Sequence, residues 1–343
     1  MKKILVVLML LTAVFSFASD FIISTGKPYF TTNPVNESYP DNGGIMMTDG
    51  NFRFMWADMV AIQKPTETSN PEFTIDLGQI YEEISYVAVK FMLSKPSAVK
   101  APDSFIVSSS EDDELYIVEG MGTDILEPVE DNKILTMYFV PDEPITAQFI
   151  NVEIRRSNSS GWVMVNEIQV GNGPLPQDIL AALPVLDTSE RTYENISLGK
   201  PYLVIPASSE AYPDGGVKIT DGKFAYSWAD MIGFNAPVSN PTVTIDLGEI
   251  KNIDMVTGHF MRSNASAVPI PMCMIVSVSD DDEVYYEVGI AATWDPPAEN
   301  EKINQIVWEN RGEKITGQYV MIEIIPRGKA WTMLAELSVF SAQ

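Results

Sequence analysis

The sequence predicts an all-β protein built from two antiparallel β-sandwiches in tandem. Three observations carry this prediction. Apolar residues recur with a period of two, convincing helical periods are almost wholly missing, and one ordered set of short motifs is written twice.

The chain opens MKKILVVLMLLTAVFSFASD. Two lysines, an apolar run from Ile4 to Val14 and the small-x-small series Ser16-Phe17-Ala18 fit a secretory signal peptide over residues 1–18. The run is short for a bilayer span, and no later stretch reaches 18 uninterrupted apolar residues. The expectation is a secreted or periplasmic protein without membrane insertion. No cysteine follows the run, so nothing marks a lipid-attachment site.

The first sandwich is expected over residues 23–171. In FTIDLG, Phe73, Ile75 and Leu77 alternate with Thr74 and Asp76; near the end, Ile150, Val152 and Ile154 alternate with Asn151 and Glu153. Such runs, bounded by Gly, Pro, Asn and Asp, predict strands with one buried face. A linker is expected over 172–195, with one short helical turn around Asp178 to Leu183. The second sandwich, over 196–343, repeats the pattern in Val243, Ile245 and Leu247 and in Val320, Ile322 and Ile324.

The echo between the halves is extensive. Gly26-Lys27-Pro28-Tyr29 answers Gly199-Lys200-Pro201-Tyr202, and Tyr39-Pro40-Asp41 answers Tyr212-Pro213-Asp214. MTDGNFRFMWADM from Met47 answers ITDGKFAYSWADM from Ile219. Ser97-Ala98-Val99 returns as Ser266-Ala267-Val268, and Trp162, Met164, Glu167 and Val170 return as Trp331, Met333, Glu336 and Val339. The preserved order marks a tandem duplication rather than a solenoid, whose units are shorter.

A formal charge of -25 repels phosphate backbones and anionic lipid, so nucleic acid and membrane surfaces are poor partners. The same acidity keeps an exported protein in solution. Cys273 is the one cysteine, so no internal disulfide forms and the cores alone hold the fold.

These motifs together resemble the discoidin superfamily, the group of coagulation-factor C-type domains and family-32 carbohydrate-binding modules. The likeness covers Ile23 to Val170 and Ile196 to Phe340. It implies an eight-stranded jelly roll in each half, a galactose-binding-like fold, and no catalysis. It also implies a ligand site made by loops at one end, commonly for sugars and in some members for lipid or protein. Many members hold a structural Ca²⁺, and the matching residues here are Asp49 with Glu167 and Asp221 with Glu336. The sequence departs from that pattern. Where members with a well-formed site place a Thr or Ser after Asp-Gly, this chain has Asn51-Phe52-Arg53-Phe54 and Lys223-Phe224-Ala225-Tyr226. Two readings stand: a bound Ca²⁺, or an Asp that caps its own turn, with Arg53 and Lys223 supplying the positive charge.

Sugar recognition calls for an aromatic face beside planar hydrogen-bonding groups. Trp56 with Asp58 and Trp228 with Asp230 offer this, unless each Trp plugs its sandwich instead. Trp162 and Trp331, beside the last strand, are expected to be structural. The neighbouring loops differ: Lys95 and Lys100 in one half, His259, Arg262 and Asn264 in the other, so the two halves need not share a ligand. His259 is the one histidine and is read as a strand residue, and the acid runs SEDDE and SDDDE as exposed hairpin tips. One His and one Cys supply neither a zinc site nor a nucleophile with its base. The expected function is non-catalytic binding of carbohydrate, with avidity for a repeating polysaccharide. The alternative is a cell-envelope or adhesion scaffold that binds protein through apolar loop tips. Hydrolysis of glycans by paired carboxylates is a third reading.

Overall fold

The computed structural model describes residues 21–31, 35–41, 43–62, 70–155, 162–183, 189–224, 226–235, 239–292, 299–310, 312–328 and 330–343. The expected signal peptide lies outside the described residues. The N-terminal half contains β1 (Tyr29–Thr31), β2 (Val60–Ile62), β3 (Glu72–Leu93), β4 (Ser104–Ser110), β5 (Ile117–Gly122), β6 (Asp124–Ile125), β7 (Lys133–Phe139), β8 (Ile145–Arg155) and β9 (Val163–Asn172). After a short helix α1 (Gln177–Ala182), the C-terminal half contains β10 (Tyr193–Asn195), β11 (Tyr202–Ile205), β12 (Ile232–Asn235), β13 (Thr242–Asn252) and β14 (Met255–Arg262). It closes with β15 (Cys273–Ser279), β16 (Tyr286–Ala292), β17 (Lys302–Glu309), β18 (Thr316–Ile325) and β19 (Trp331–Ala342).

All ladders between these strands are antiparallel, as the two-residue period requires. In the C-terminal half, one sheet runs β11-β13-β18-β15-β16, and the other joins β10, β12, β14, β17 and β19. The N-terminal half shares most of these pairings, but no strand matches β10, β6 adds a short pairing with β7, and the counterparts of β13 and β14 are a single strand, β3. Its first part pairs with β1 and β8 and its second with β7 and β9, with register shifts between Asp76 and Ile84. Those irregularities bend the strand from one sheet into the other. The break in the C-terminal half falls at Ile253 and Asp254.

Inward-facing residues of the paired sheets form a core in each half. Phe73, Ile75, Val87, Phe91, Phe105, Val152 and Ile154 belong to the first; Val243, Ile245, Phe260, Ile322 and Leu337 belong to the second. Burial of each such side chain contributes about 1.5–3 kcal/mol.

The stretch expected as a linker carries structure of its own. Helix α1 buries Ile179 against Tyr86, Ala88 and Tyr138 of the N-terminal half, and Tyr193–Asn195 is already a strand, paired with Phe340–Ala342. The halves also touch directly. Ile106 and Val118 share an apolar cluster with Cys273 and Ile275, and β5 packs beside β16.

Repeated motifs have repeated bonds. The hydroxyl of Tyr29 donates to Asp41, and that of Tyr202 to Asp214 at 2.6 Å, which joins Gly-Lys-Pro-Tyr to Tyr-Pro-Asp in both halves. Asp76 Oδ1 accepts from Gly78 N (2.8 Å) and Gln148 Nε2 (3.0 Å); Asp246 Oδ1 accepts likewise from Gly248 and Gln318.

Candidate ligand-binding loop ends

The twice-written loop ties the entry of each half to its last long strand. Thr48 Oγ1 donates to the Lys27 carbonyl at 2.6 Å and Thr220 Oγ1 to that of Lys200 at 2.9 Å. Asp49 Oδ1 then accepts from Asn51 N and Asp221 Oδ1 from Lys223 N, each closing a turn on its own backbone. Gly50 and Gly222 both sit at φ +79°, a conformation that favours glycine. Their amides donate at 3.0 Å to Glu167 Oε1 and Glu336 Oε1.

Both glutamates are fully buried, and in each the second oxygen, Oε2, has no hydrogen-bond partner. A shared β-bulge places them. Lys90 pairs with Glu167 and the next pair is Phe91 with Val165; His259 pairs with Glu336 and the next is Phe260 with Leu334. The extra residue, Asn166 or Ala335, turns the acid toward the Asp-Gly loop. Burial, with the nearby Asp49 adding to it, raises Glu167 to about 8; burial and Asp221 raise Glu336 to about 7.

Ca²⁺ takes six to eight oxygens, whereas each glutamate already accepts a glycine N–H, and Lys223 Nζ lies 2.9 Å from Asp221 Oδ2. Lys90 stands directly opposite Glu167. Among the described residues no group of three or more His, Cys, Asp or Glu is arranged to hold a metal. Arg53 does not take the role of Lys223; its Nε goes to Asn51 Oδ1 (2.9 Å) and lies 3.5 Å from Asp58 Oδ2.

The tryptophans are plugs rather than platforms. Trp56 and Trp228 start 3-10 turns, Trp56–Asp58 and Trp228–Asp230, and both are only partly exposed. Trp56 packs with Tyr39 against Met59, Met92 and Met164, and Trp228 with Tyr212 against Met231, Met261 and Met333. Trp162 and Trp331 join the same clusters, as expected of structural residues. Asp58 is mostly buried, while Asp230 is exposed.

What the loops expose is a different set of rings: Phe52 (46%), Phe54 (38%), Phe224 (51%) and Tyr226 (38%). Phe224 stacks on His259 with ring centres 4.6 Å apart and 13° between planes, and Lys90 Nζ lies 5.2 Å from the Phe52 ring centre. The sequence carried a signal for them, an aromatic pair two residues apart directly after Asp-Gly-x in both halves. Lys90 and Glu301 were also missed, because neither belongs to a repeated motif.

The C-terminal loop end is a polar network around these rings. The Tyr226 hydroxyl donates to Glu301, and Ser263 Oγ donates to Glu301 Oε1 at 2.8 Å. Arg262 Nε reaches Asn264 Oδ1 at 3.3 Å, and Asn264 N donates to Asn300 Oδ1. Arg262 and Asn264 flank Ser263, which shares Glu301 with Tyr226 of the Asp-Gly loop. In the N-terminal half the corresponding residues are Phe54, Leu93, Lys95, Asp131 and Asn132, with Ser94 Oγ donating to Asn132 Oδ1 at 2.8 Å. At these positions that end lacks the tyrosine hydroxyl and the glutamate, and its guanidinium is that of Arg53, within the Asp-Gly loop itself.

No protein-family model matches the chain, and no curated protein matches it in sequence. Among solved structures, a serum F-lectin (fucolectin) from the striped bass Morone saxatilis is 11% identical, over 94% of this chain and 98% of that one, at TM-score 0.34. The CBM32-1 and CBM32-2 domains of Clostridium perfringens ZmpB, in complex with GalNAc, are 10% identical over 94% of this chain and 92% of that one, at TM-score 0.35. The lectin domain of lectinolysin, complexed with Lewis B antigen, is 18% identical over 44% of this chain and 98% of that one, at TM-score 0.33. The likeness is one of fold alone. Each half of the chain is an antiparallel β-sandwich by its own ladders. No helix among the described residues is long and apolar enough to cross a membrane.

Proposed function

We propose that the protein is an exported, non-catalytic carbohydrate-binding protein whose glycan site is the loop end of the C-terminal half. The observation that carries this reading is the exposed Phe224 and Tyr226 pair beside Arg262, Asn264 and Glu301. An aromatic face takes the C–H side of a sugar ring, and planar side chains take vicinal hydroxyls. Lectins and carbohydrate-binding domains among the fold neighbours are consistent with such a ligand.

The N-terminal end favours a second reading for that half. Phe52, Phe54 and Met55 are exposed around Arg53, and a buried Leu93 stands where the other half has Arg262. Such a tip suits an envelope-protein partner better than a polyol.

Retention of the mature protein on a panel of immobilised glycans tests the glycan reading. Binding that is lost in Phe224→Ala and Arg262→Ala, and kept in Phe52→Ala, supports it. Silence across the panel, or loss only with Phe52→Ala, overturns it.

A further inference from the structure

The two halves meet through the same face of each repeat. Ile106 on β4 pairs with Met121 on β5, and Ile275 on β15 with Ile290 on β16; all four join one apolar cluster at the junction. The neighbouring strand of each sheet brings an equivalent acid, Glu153 opposite Ile106 and Glu323 opposite Ile275. Each acid accepts from an equivalent asparagine, Asn70 or Asn240, at 2.7 Å. The contacts are also reciprocal. Ser104, the first residue of β4, donates to Glu287 of β16, while its equivalent Cys273, the first residue of β15, shares the apolar cluster with Val118 of β5. Val118 and Glu287 are themselves equivalent, paired with Ser108 and Ser277. An interface in which one position meets a second, and the second meets the first, is that of a two-fold dimer. Here it is closed within one chain.

One residue breaks the symmetry and joins the acids of both halves. Arg155, buried at the end of β8, has Nη1 3.2 Å from Glu153 Oε1, Nε 2.6 Å from Glu287 Oε1, and Nη2 on Glu323. Its equivalent is Ile325, which packs against the apolar cluster instead.

These contacts fix the direction in which the halves run. In the N-terminal half, Ser104 and Arg155 lie at the loop end, and Val118 lies on the acid-tip side of Ile106. In the other half, Cys273 and Ile325 lie at the loop end, and Glu287 lies on the acid-tip side of Ile275. Loop-end Ser104 and Arg155 meet tip-side Glu287, and loop-end Cys273 joins tip-side Val118. Strands β4 and β15 therefore cross head to tail.

We propose that the chain is a fused two-fold pair whose loop ends lie at opposite poles, so that one molecule bridges two partners instead of laying both ends on one surface. Resting on the function proposed above, the partners are a glycan at the C-terminal pole and a protein at the apolar N-terminal pole. Avidity along one polysaccharide requires both ends to reach the same strand together, which opposed ends do not do.

The test places pairs of spin labels on the full mature chain and reads their separation by double electron–electron resonance. Four exposed positions are replaced by cysteine: Ser97 and Ser266 at the loop ends, Glu111 and Asp280 at the acid tips. The native Cys273 is buried. Each pair should give one narrow distance. Ser97 with Asp280, and Glu111 with Ser266, should be much alike and shorter than Ser97 with Ser266 or Glu111 with Asp280. Like ends closer than unlike ends, or broad distributions for all four pairs, overturn the proposal. No ligand is present in this measurement, so a silent glycan panel overturns the glycan reading and leaves the two poles standing. On a glycan resin that retains the protein, a maleimide should reach Ser97→Cys as fast as in solution and Ser266→Cys about tenfold more slowly. Equal protection of the two cysteines overturns the bridge.

Discussion

Gly222 and Glu336 lie 114 residues apart and are joined by a 3.0 Å hydrogen bond from the glycine amide to the buried carboxyl. Gly50 and Glu167 repeat the bond over 117 residues. Each pair closes its sandwich by holding the opening loop on the last strand, and each leaves one carboxyl oxygen buried without a partner. Burial raises both carboxyls well above the ordinary value, which favours their neutral form.

A pH dependence follows. Glu167 is raised to about 8 and Glu336 to about 7, from an ordinary value of 4.5. Between 4.5 and these values the folded protein keeps protons that the unfolded chain has released, so stability falls as pH rises through that window. Thermal melts from pH 5 to 9 should show a declining Tm, and the double variant Glu167→Gln, Glu336→Gln should flatten the decline. EDTA should leave the melts unchanged. A Tm that drops with EDTA would restore the calcium clamp in place of the proton.

The two loop glycines differ in what an added methyl group meets. At Gly222 a Cβ would lie 3.0 Å from Leu198 Cδ1, whereas at Gly50 the nearest atom, Thr25 Cγ2, is 3.6 Å away. Both substitutions to Ala carry the left-handed penalty of about 1–2 kcal/mol. Urea unfolding should show Gly222→Ala as the more destabilised of the two.

Trp228 and Phe224 separate stability from binding. Trp228→Ala removes a plug packed against Met231, Met261 and Met333 and should cost about 2–4 kcal/mol by denaturant melts. Phe224→Ala removes a ring that is half exposed and should shift stability by less than about 1 kcal/mol while abolishing retention on the glycan. Equal stability losses in the two variants would place Phe224 in the packing instead.

Tyr202→Phe deletes the 2.6 Å bond to Asp214 and leaves the ring in place. The expected loss is about 1.5–3 kcal/mol, the value of a hydrogen bond to a charged acceptor. Tyr29→Phe should behave alike, because the bond to Asp41 is the same.

Much of this molecule was legible in its sequence because its strands alternate strictly. Phe73-Ile75-Leu77 and Val243-Ile245-Leu247 declare which face is buried, and His259 lies in a strand as expected. Duplication exposed the loop that matters, and the lysine expected to meet Asp221 does so. The site was harder. Trp56 and Trp228 look like sugar platforms by composition, yet a large ring beside three methionines, two of them distant in sequence, gains more from burial than from water. Glu301 and Arg155 act through partners 75 and 132 residues away, Tyr226 and Glu287, and no local pattern announces such pairs.

Strand β3 runs unbroken through 22 residues and belongs to both sheets of its half, whereas β13 and β14 divide that work in the other. A segment shared by two layers cannot be released from one while it stays locked in the other. Amide protons along 72–93 should therefore exchange with solvent as one cooperative unit, at the slow rate of global opening. In the C-terminal half, the interruption at Ile253 and Asp254 gives exchange a place to begin, and the two layers there should report separate protection.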